Sequence, residues 1–293
     1  MAKNVSNKTI DNVTIRFAGD SGDGMQLSGG RFTQTSAVVG NDLSTLPDFP
    51  AEIRAPAGSL AGVSSFQIHF SSQEIHTPGE KPDVLVAMNP AALKVHLKDL
   101  VPGGTLIVNK NAFTKKNLTL AGYEDDPTED GSLVDYYSTH FIEMGKLVTN
   151  ACEGIDIPSK MVDRTKNLCA LGVLFWMYDR PLEPTIDWLN QKFKSKPDII
   201  EANVRALNAG YNYGDTAEIF TTRYIVEKAK LPKGKYRNMN GTLASCLGIL
   251  TAAEKSNLGI TFAGYPITPA SNILHTLSNL SLIHISEPTR QPC

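Results

Sequence analysis

Residues 17 to 30 read FAGDSGDGMQLSGG. The strand-like run Asn12 to Ala18 ends here in a glycine-rich turn, and Met25 to Val39 then has the composition of a helix stopped by Gly40-Asn41. Strand, glycine turn and helix N-terminus together outline a phosphate-binding loop. The order of the glycines, Gly19, Gly22 and Gly24, reverses the G-x-G spacing of a dinucleotide fingerprint, and no Gly-Lys-Ser/Thr follows. Asp20 and Asp23 also sit in the turn, where a pyrophosphate would be repelled. An aspartate in a first turn has a plain structural use, accepting from free N–H groups. The residues alone therefore favour a tight packing turn over a nucleotide cradle, and leave open what it packs against. Gly29 and Gly30 each lower helix stability by about 1 kcal/mol relative to alanine, which close packing of helix on sheet usually offsets.

Outward from this loop, FQIHF (66–70), DVLVAMN (83–89) and GTLIVNK (104–110) read as strands, with a helix over 91–100. Strands alternating with helices predict a Rossmann-like α/β domain with a mainly parallel sheet. Residues 46–59, with three prolines, read as an irregular loop, and EDDPTEDGS (124–132) as an acidic surface insertion. The apolar stretch Leu168 to Tyr178 predicts a buried helix, followed by amphipathic helices over 184–193 and 198–209. Polar, Gly- and Pro-containing sequence around 211–240 reads as a linker. A second unit then opens with a small-residue helix from Gly241 and a strand GITFAG (259–264).

Among 293 residues, 28 basic and 30 acidic side chains leave a net charge of −2, with no basic block. That balance gives no footprint for nucleic acid or an anionic membrane. The N-terminal residues lack the apolar core of a signal peptide, and the longest apolar run falls well short of the roughly 20 residues a spanning helix needs. Cys152, Cys169, Cys246 and Cys293 show no paired spacing, so no disulfide framework or metal site is signalled, and a reducing, cytoplasmic compartment is expected.

The second unit carries a further candidate site in Tyr265-Pro266-Ile267-Thr268-Pro269. Thr268 suits an N-cap and Pro269 a first helical position, before a stripe of Ile273, Leu274, Leu277 and Leu280. A hydroxyl and free N–H groups at the end of a strand would suit a small carboxylate. The same residues equally describe an ordinary capped helix after a proline-rich turn.

Two separated segments carry a family resemblance. FAGDSGDGMQLSGGRFTQTSA with the following NDLSTLPDFPAEIRAPAGSLAGVSSFQIHF resembles the γ domain of 2-oxoacid:ferredoxin oxidoreductases. KYRNMNGTLASCLGILTAAEKSNLGITFAGYPITPASNILHTLSNL resembles the start of their pyrimidine-binding α domain. The order matches α subunits of the 2-oxoglutarate-specific type, and DRPLEPTIDWL (179–189) fits the same subunit. The resemblance implies a γ domain over 12–222, a linker over 223–239, and a truncated α/β pyrimidine-binding domain over 240–280. It further implies an enzyme that joins a 2-oxoacid and CoA to give acyl-CoA and CO2, with electrons passed to ferredoxin. Pyruvate or a branched-chain 2-oxoacid is the alternative substrate; a non-catalytic nucleotide-binding module is the alternative of another class.

In that family thiamine diphosphate, Mg2+ and the iron–sulfur cluster are held mainly by a β subunit, in an αβ assembly or a dimer of it. The resemblance places Tyr265, Pro266, Ile267, Thr268 and Pro269 at the thiamine site, with the Thr268 hydroxyl catalytic. Gly19, Gly22 and Gly24 match the family's glycine loop, and no metal ligand falls on this chain. Arg54 is a candidate contact for an anionic group of CoA or substrate, or simply a loop-bracing arginine. The family's α domain continues for some hundreds of residues beyond Leu280, whereas residues 281–293, SLIHISEPTRQPC, read as a non-native tail. The 240–280 segment is too short to bury a core of its own.

Overall fold

The computed structural model describes residues 6–50, 55–217, 220–265, 267 and 270–280. The chain divides into two compact units, Met1–Pro232 and Lys233–Cys293. Arg54, Pro266, Thr268, Pro269 and the 281–293 tail lie outside the described residues.

The first unit begins with strands β1 (Ser6–Thr9) and β2 (Asn12–Asp20), helix α1 (Met25–Val39), and strands β3 (Asp42–Asp48), β4 (Val63–Ser71) and β5 (Val84–Ala87). Helix α2 (Pro90–His96), strand β6 (Thr105–Asn109), two short helices α3 (Lys115–Leu120) and α4 (Ser132–Tyr136), and strand β7 (Ser138–Ile142) follow. A helical stretch comprises α5 (Met144–Ala151), α6 (Ser159–Arg164), α7 (Lys166–Met177), α8 (Glu183–Lys192) and α9 (Pro197–Thr216), closed by strand β8 (Thr222–Ile225).

Six strands form one sheet in the order β3-β4-β2-β5-β6-β7. β2, β5, β6 and β7 pair in parallel, β4 runs against both β2 and β3, and five of the six strands point the same way. The fold is thus the expected mainly parallel α/β domain. Alternation within the strands shows both faces covered: Val84 and Val86 join one core, Leu85 and Ala87 the other.

On the first face α1 and α7 pack Phe32 among Phe17, Phe70, Phe175 and Tyr178, with ring centroids 5.3 to 6.2 Å apart. The apolar stretch from Leu168 forms α7 as expected, buried throughout its described length. It approaches α9 so closely that a side-chain carbon at Gly172 would overlap the Leu207 carbonyl, and one at Gly210 the Cys169 carbonyl. No helix among the described residues is long and apolar enough to cross a membrane.

Several sequence expectations need correction. Part of the 46–59 loop is the end of β3, whose Pro47 is tolerated because β3 is an edge strand. Helix α9 runs on to Thr216, through residues read as linker. The expected linker at 223–239 opens within β8, which pairs in parallel with β1, and residues 226–230 continue against the same unit. There Asn41 Nδ2 donates to the carbonyls of Val226 and Glu227 (3.2 and 2.6 Å), and Val226 is buried.

In the second unit, α10 (Gly241–Ser256) and α11 (Ser271–Leu280) pack on each other around Cys246 and Leu277, both fully buried. The predicted strand GITFAG is not formed: residues 258–265 have no regular structure. A strand exists by pairing, and the described residues of this unit offer two helices and no sheet.

Candidate functional site

The sheet reverses its winding beside β2. The connection through α1 leads to the β3 side, and β5 with α2 leads to the β6 side, with α1 and α2 on opposite faces. Such a switch point opens a crevice at the carboxyl ends of the flanking strands, the usual ligand position in open α/β sheets.

A cleft of about 230 Å³ lies there. It is lined by Asp20, Gly22 and Asp23 of the glycine turn, by Ala57 and Met88, and by Lys160, Asp163, Arg164, Lys166 and Asn167 of the α6–α7 segment. The three loop glycines have three different reasons to be glycine. Gly24 caps α1 in the left-handed region at φ 77°, and a Cβ there would overlap the Asn167 amide. A Cβ at Gly19 would come within 2.9 Å of Asp23 Oδ2 and 3.1 Å of Met88 Cβ. Gly22 has neither a left-handed φ nor any atom within 4 Å of its would-be Cβ, yet it lines the cleft. The left-handed φ holds position 24 to glycine, a Cβ at Gly19 would displace Asp23, and Gly22 leaves backbone open to whatever enters.

The aspartates do not cap α1 as expected, because its N-cap is Gly24 with no side-chain hydrogen bond; they brace the turn instead. Asp23 Oδ2 accepts from the Asp20 N–H (2.8 Å) and from Asn89 Nδ2 (3.4 Å). Asp20 Oδ2 accepts from the Gly58 N–H (2.8 Å), which ties the 55–62 segment to the turn. Burial raises both carboxyl groups above the usual range, and for Asp20 the nearby Asp23 charge adds to it. In the α6–α7 segment, Lys166 pairs with Asp163 at 2.7 Å. Among the described residues neither Lys160 nor Arg164 forms an ion pair, and Arg164 Nη1 donates to the Met161 sulfur at 3.8 Å. The cleft thus has an acidic, glycine-lined side and a side with two uncommitted cations.

This basic wall was missed in the sequence. Its signal is SKMVDRTK (159–166), three cations in one short stretch, some 140 residues from the glycine loop.

The profile of the pyruvate ferredoxin/flavodoxin oxidoreductase family matches residues 14–213, most of the first unit. The chain belongs to that family. Its relatives include the 2-oxoglutarate oxidoreductase subunit KorA of Mycobacterium tuberculosis, 54% identical over 269 residues, covering 92% of this chain and 41% of KorA. The 2-oxoglutarate synthase subunit KorC of Methanothermobacter marburgensis is 37% identical over 107 residues, covering 36% of this chain and 54% of KorC. The chain therefore spans well under two thirds of either relative. Among solved structures, a 2-oxoglutarate:ferredoxin oxidoreductase from Magnetococcus marinus, with 2-oxoglutarate, coenzyme A and succinyl-CoA bound, shares the fold. It superposes with a TM-score of 0.69 at 23% identity, covering 92% of this chain and 41% of that one.

The second expected site is only partly described. Tyr265 and Ile267 are exposed, and α11 begins at Ser271 after a turn at Ala270. Among the described residues no group of His, Cys, Asp or Glu side chains could hold a metal ion. An exposed ring and an alkyl group do not make a thiamine diphosphate site by themselves.

Proposed function

We propose that the chain is the N-terminal part of the α subunit of a 2-oxoglutarate:ferredoxin oxidoreductase. The observation that carries this is the 54% identity to KorA over 269 residues, which reaches across both units. The reaction would be 2-oxoglutarate + CoA + 2 oxidised ferredoxin to succinyl-CoA + CO2 + 2 reduced ferredoxin + H+, or its reverse. Thiamine diphosphate, Mg2+ and the iron–sulfur cluster are assigned to a β subunit in the cytoplasm, completed at the thiamine by Tyr265 to Pro269 with Thr268 toward the substrate.

Within this chain, the cleft above the glycine loop is assigned to coenzyme A. Lys160 and Arg164 are the two cations free to meet its phosphates, and Gly22 leaves room for its chain. An anion brought to uncommitted cations avoids breaking an existing pair, which favours these two over Lys166.

Viologen reduction by the complete α/β enzyme tests the substrate. Reduction that depends on CoA and runs much faster with 2-oxoglutarate than with pyruvate is expected; equal rates would sink the 2-oxoglutarate assignment. In the same enzyme Thr268→Ala should lower kcat, and unchanged kinetics would remove Thr268 from the site.

A further inference from the structure

We infer that Asn240-Gly241 is a covalent modification site at the entry to α10, where the side-chain amide is lost through a succinimide and the N-cap hydrogen bond of the helix sets the rate. This chemistry is independent of any substrate or cofactor.

The sequence holds a single Asn-Gly pair, and it lies here. Ring closure requires the main-chain nitrogen of the following residue to reach the asparagine Cγ, and a glycine, having no Cβ, obstructs that approach least. Residues 232–241 are all exposed, and 231–240 form neither helix nor strand. Gly241 is the first residue of α10, so its N–H has no carbonyl within the helix to donate to. No atom lies within 4 Å of the position a Cβ would take there. The step balances without a co-reactant other than water. The Gly241 nitrogen loses its proton and bonds to Asn240 Cγ, the Cγ–Nδ2 bond breaks, and ammonia leaves with a proton regained from solvent. Water then opens the ring. Opening at Cγ leaves aspartate at 240 in an ordinary main chain; opening at the main-chain carbon leaves an isoaspartyl linkage, which routes the chain through Cβ and Cγ.

The folded geometry restrains this reaction. Asn240 Oδ1 accepts from the Leu243 N–H at 2.9 Å, and the Asn240 carbonyl accepts from the Ala244 N–H at 3.0 Å. The backbone at Asn240 is extended, with φ −93° and ψ 165°. The cap bond holds Cγ away from the Gly241 nitrogen, so ring closure waits for the first turn of α10 to fray. The two Asp-Gly pairs are less reactive, because a carboxylate is a poorer electrophile than a carboxamide. Asp130 Oδ1 accepts from the N–H and the hydroxyl of Ser132 at 2.9 and 2.7 Å, which keeps it ionised. Asp23 Oδ2 is held by the Asp20 N–H.

The test is incubation of the chain in mildly alkaline buffer, folded and, separately, unfolded in guanidinium, followed by tryptic mapping of the 238–255 peptide at mildly acid pH. That peptide should gain the mass difference between a carboxyl and a carboxamide. It should also split into aspartyl and isoaspartyl forms, which fragmentation across residue 240 tells apart. The folded chain should react at least about fivefold more slowly than the unfolded one, the factor a side-chain cap typically contributes. Gly241→Ala should suppress the change in both states. Asn238, in the same peptide, should stay intact. A folded chain that remains unmodified after the unfolded chain has converted overturns the site, as does loss of ammonia at Asn238 ahead of Asn240 or a wild-type rate in Gly241→Ala. Equal rates in the folded and unfolded chains overturn the control by the cap.

Discussion

Gly29 on α1 packs against Phe66 on β4, so close that a Cβ would overlap the ring. Its neighbour Gly30 has no atom within 4 Å of the corresponding position. The two glycines look alike in sequence and should respond oppositely. Gly30→Ala should raise stability by about 0.5–1 kcal/mol, by relieving the entropy of glycine in a helix. Gly29→Ala should lower it by roughly 1–2 kcal/mol, since overpacking exceeds that gain. Urea midpoints moving in the same direction for both variants would contradict this account of the α1–β4 contact.

The α7–α9 contact is less forgiving, because the atoms facing Gly172 and Gly210 are backbone carbonyls rather than a movable ring. Gly210→Ala should cost about 3 kcal/mol or more and lower Tm by roughly 6–12 °C. A thermal melt within 2 or so degrees of wild type would mean that the helices can separate without penalty.

His96 makes stability depend on acid. Arg16 Nη1 donates to His96 Nδ1 at 3.2 Å, and that arginine also pairs with Asp99. Burial, and then the Arg16 charge, push the imidazole down to about 4. A depressed histidine pKa means that the folded state resists a proton the unfolded state accepts. Stability is therefore complete above the ordinary value near 6.5 and falls as pH drops from there toward 4, by ~3 kcal/mol at most. Urea unfolding at pH 7.5 and 4.5 should show this loss, and His96→Gln should shrink it. An equal loss in the variant would assign the acid sensitivity elsewhere.

The parts of the fold visible in the sequence are those whose signal is local and apolar. Strand β2, its glycine turn and α1 follow from a period change at Gly19, and α7 from an unbroken apolar run. Strands β3 and β7 were hidden because edge strands carry polar residues and, in β3, a proline. The β1–β8 pair is hidden for a related reason: SNKT and TRYI are short, and their pairing spans over 200 residues. GITFAG failed in the other direction, having strand composition with no partner strand. For the candidate site, the glycines and aspartates were legible, but Lys160 and Arg164 come to the cleft only through the packing of α5 to α7.

The parallel pairing of β1 with β8 clasps the entry and exit of the first unit together, outside the six-stranded sheet. A unit closed in this way behaves as a cassette. Chain joined before β1 or after β8 attaches at this pair, outside the order of strands that forms the cleft.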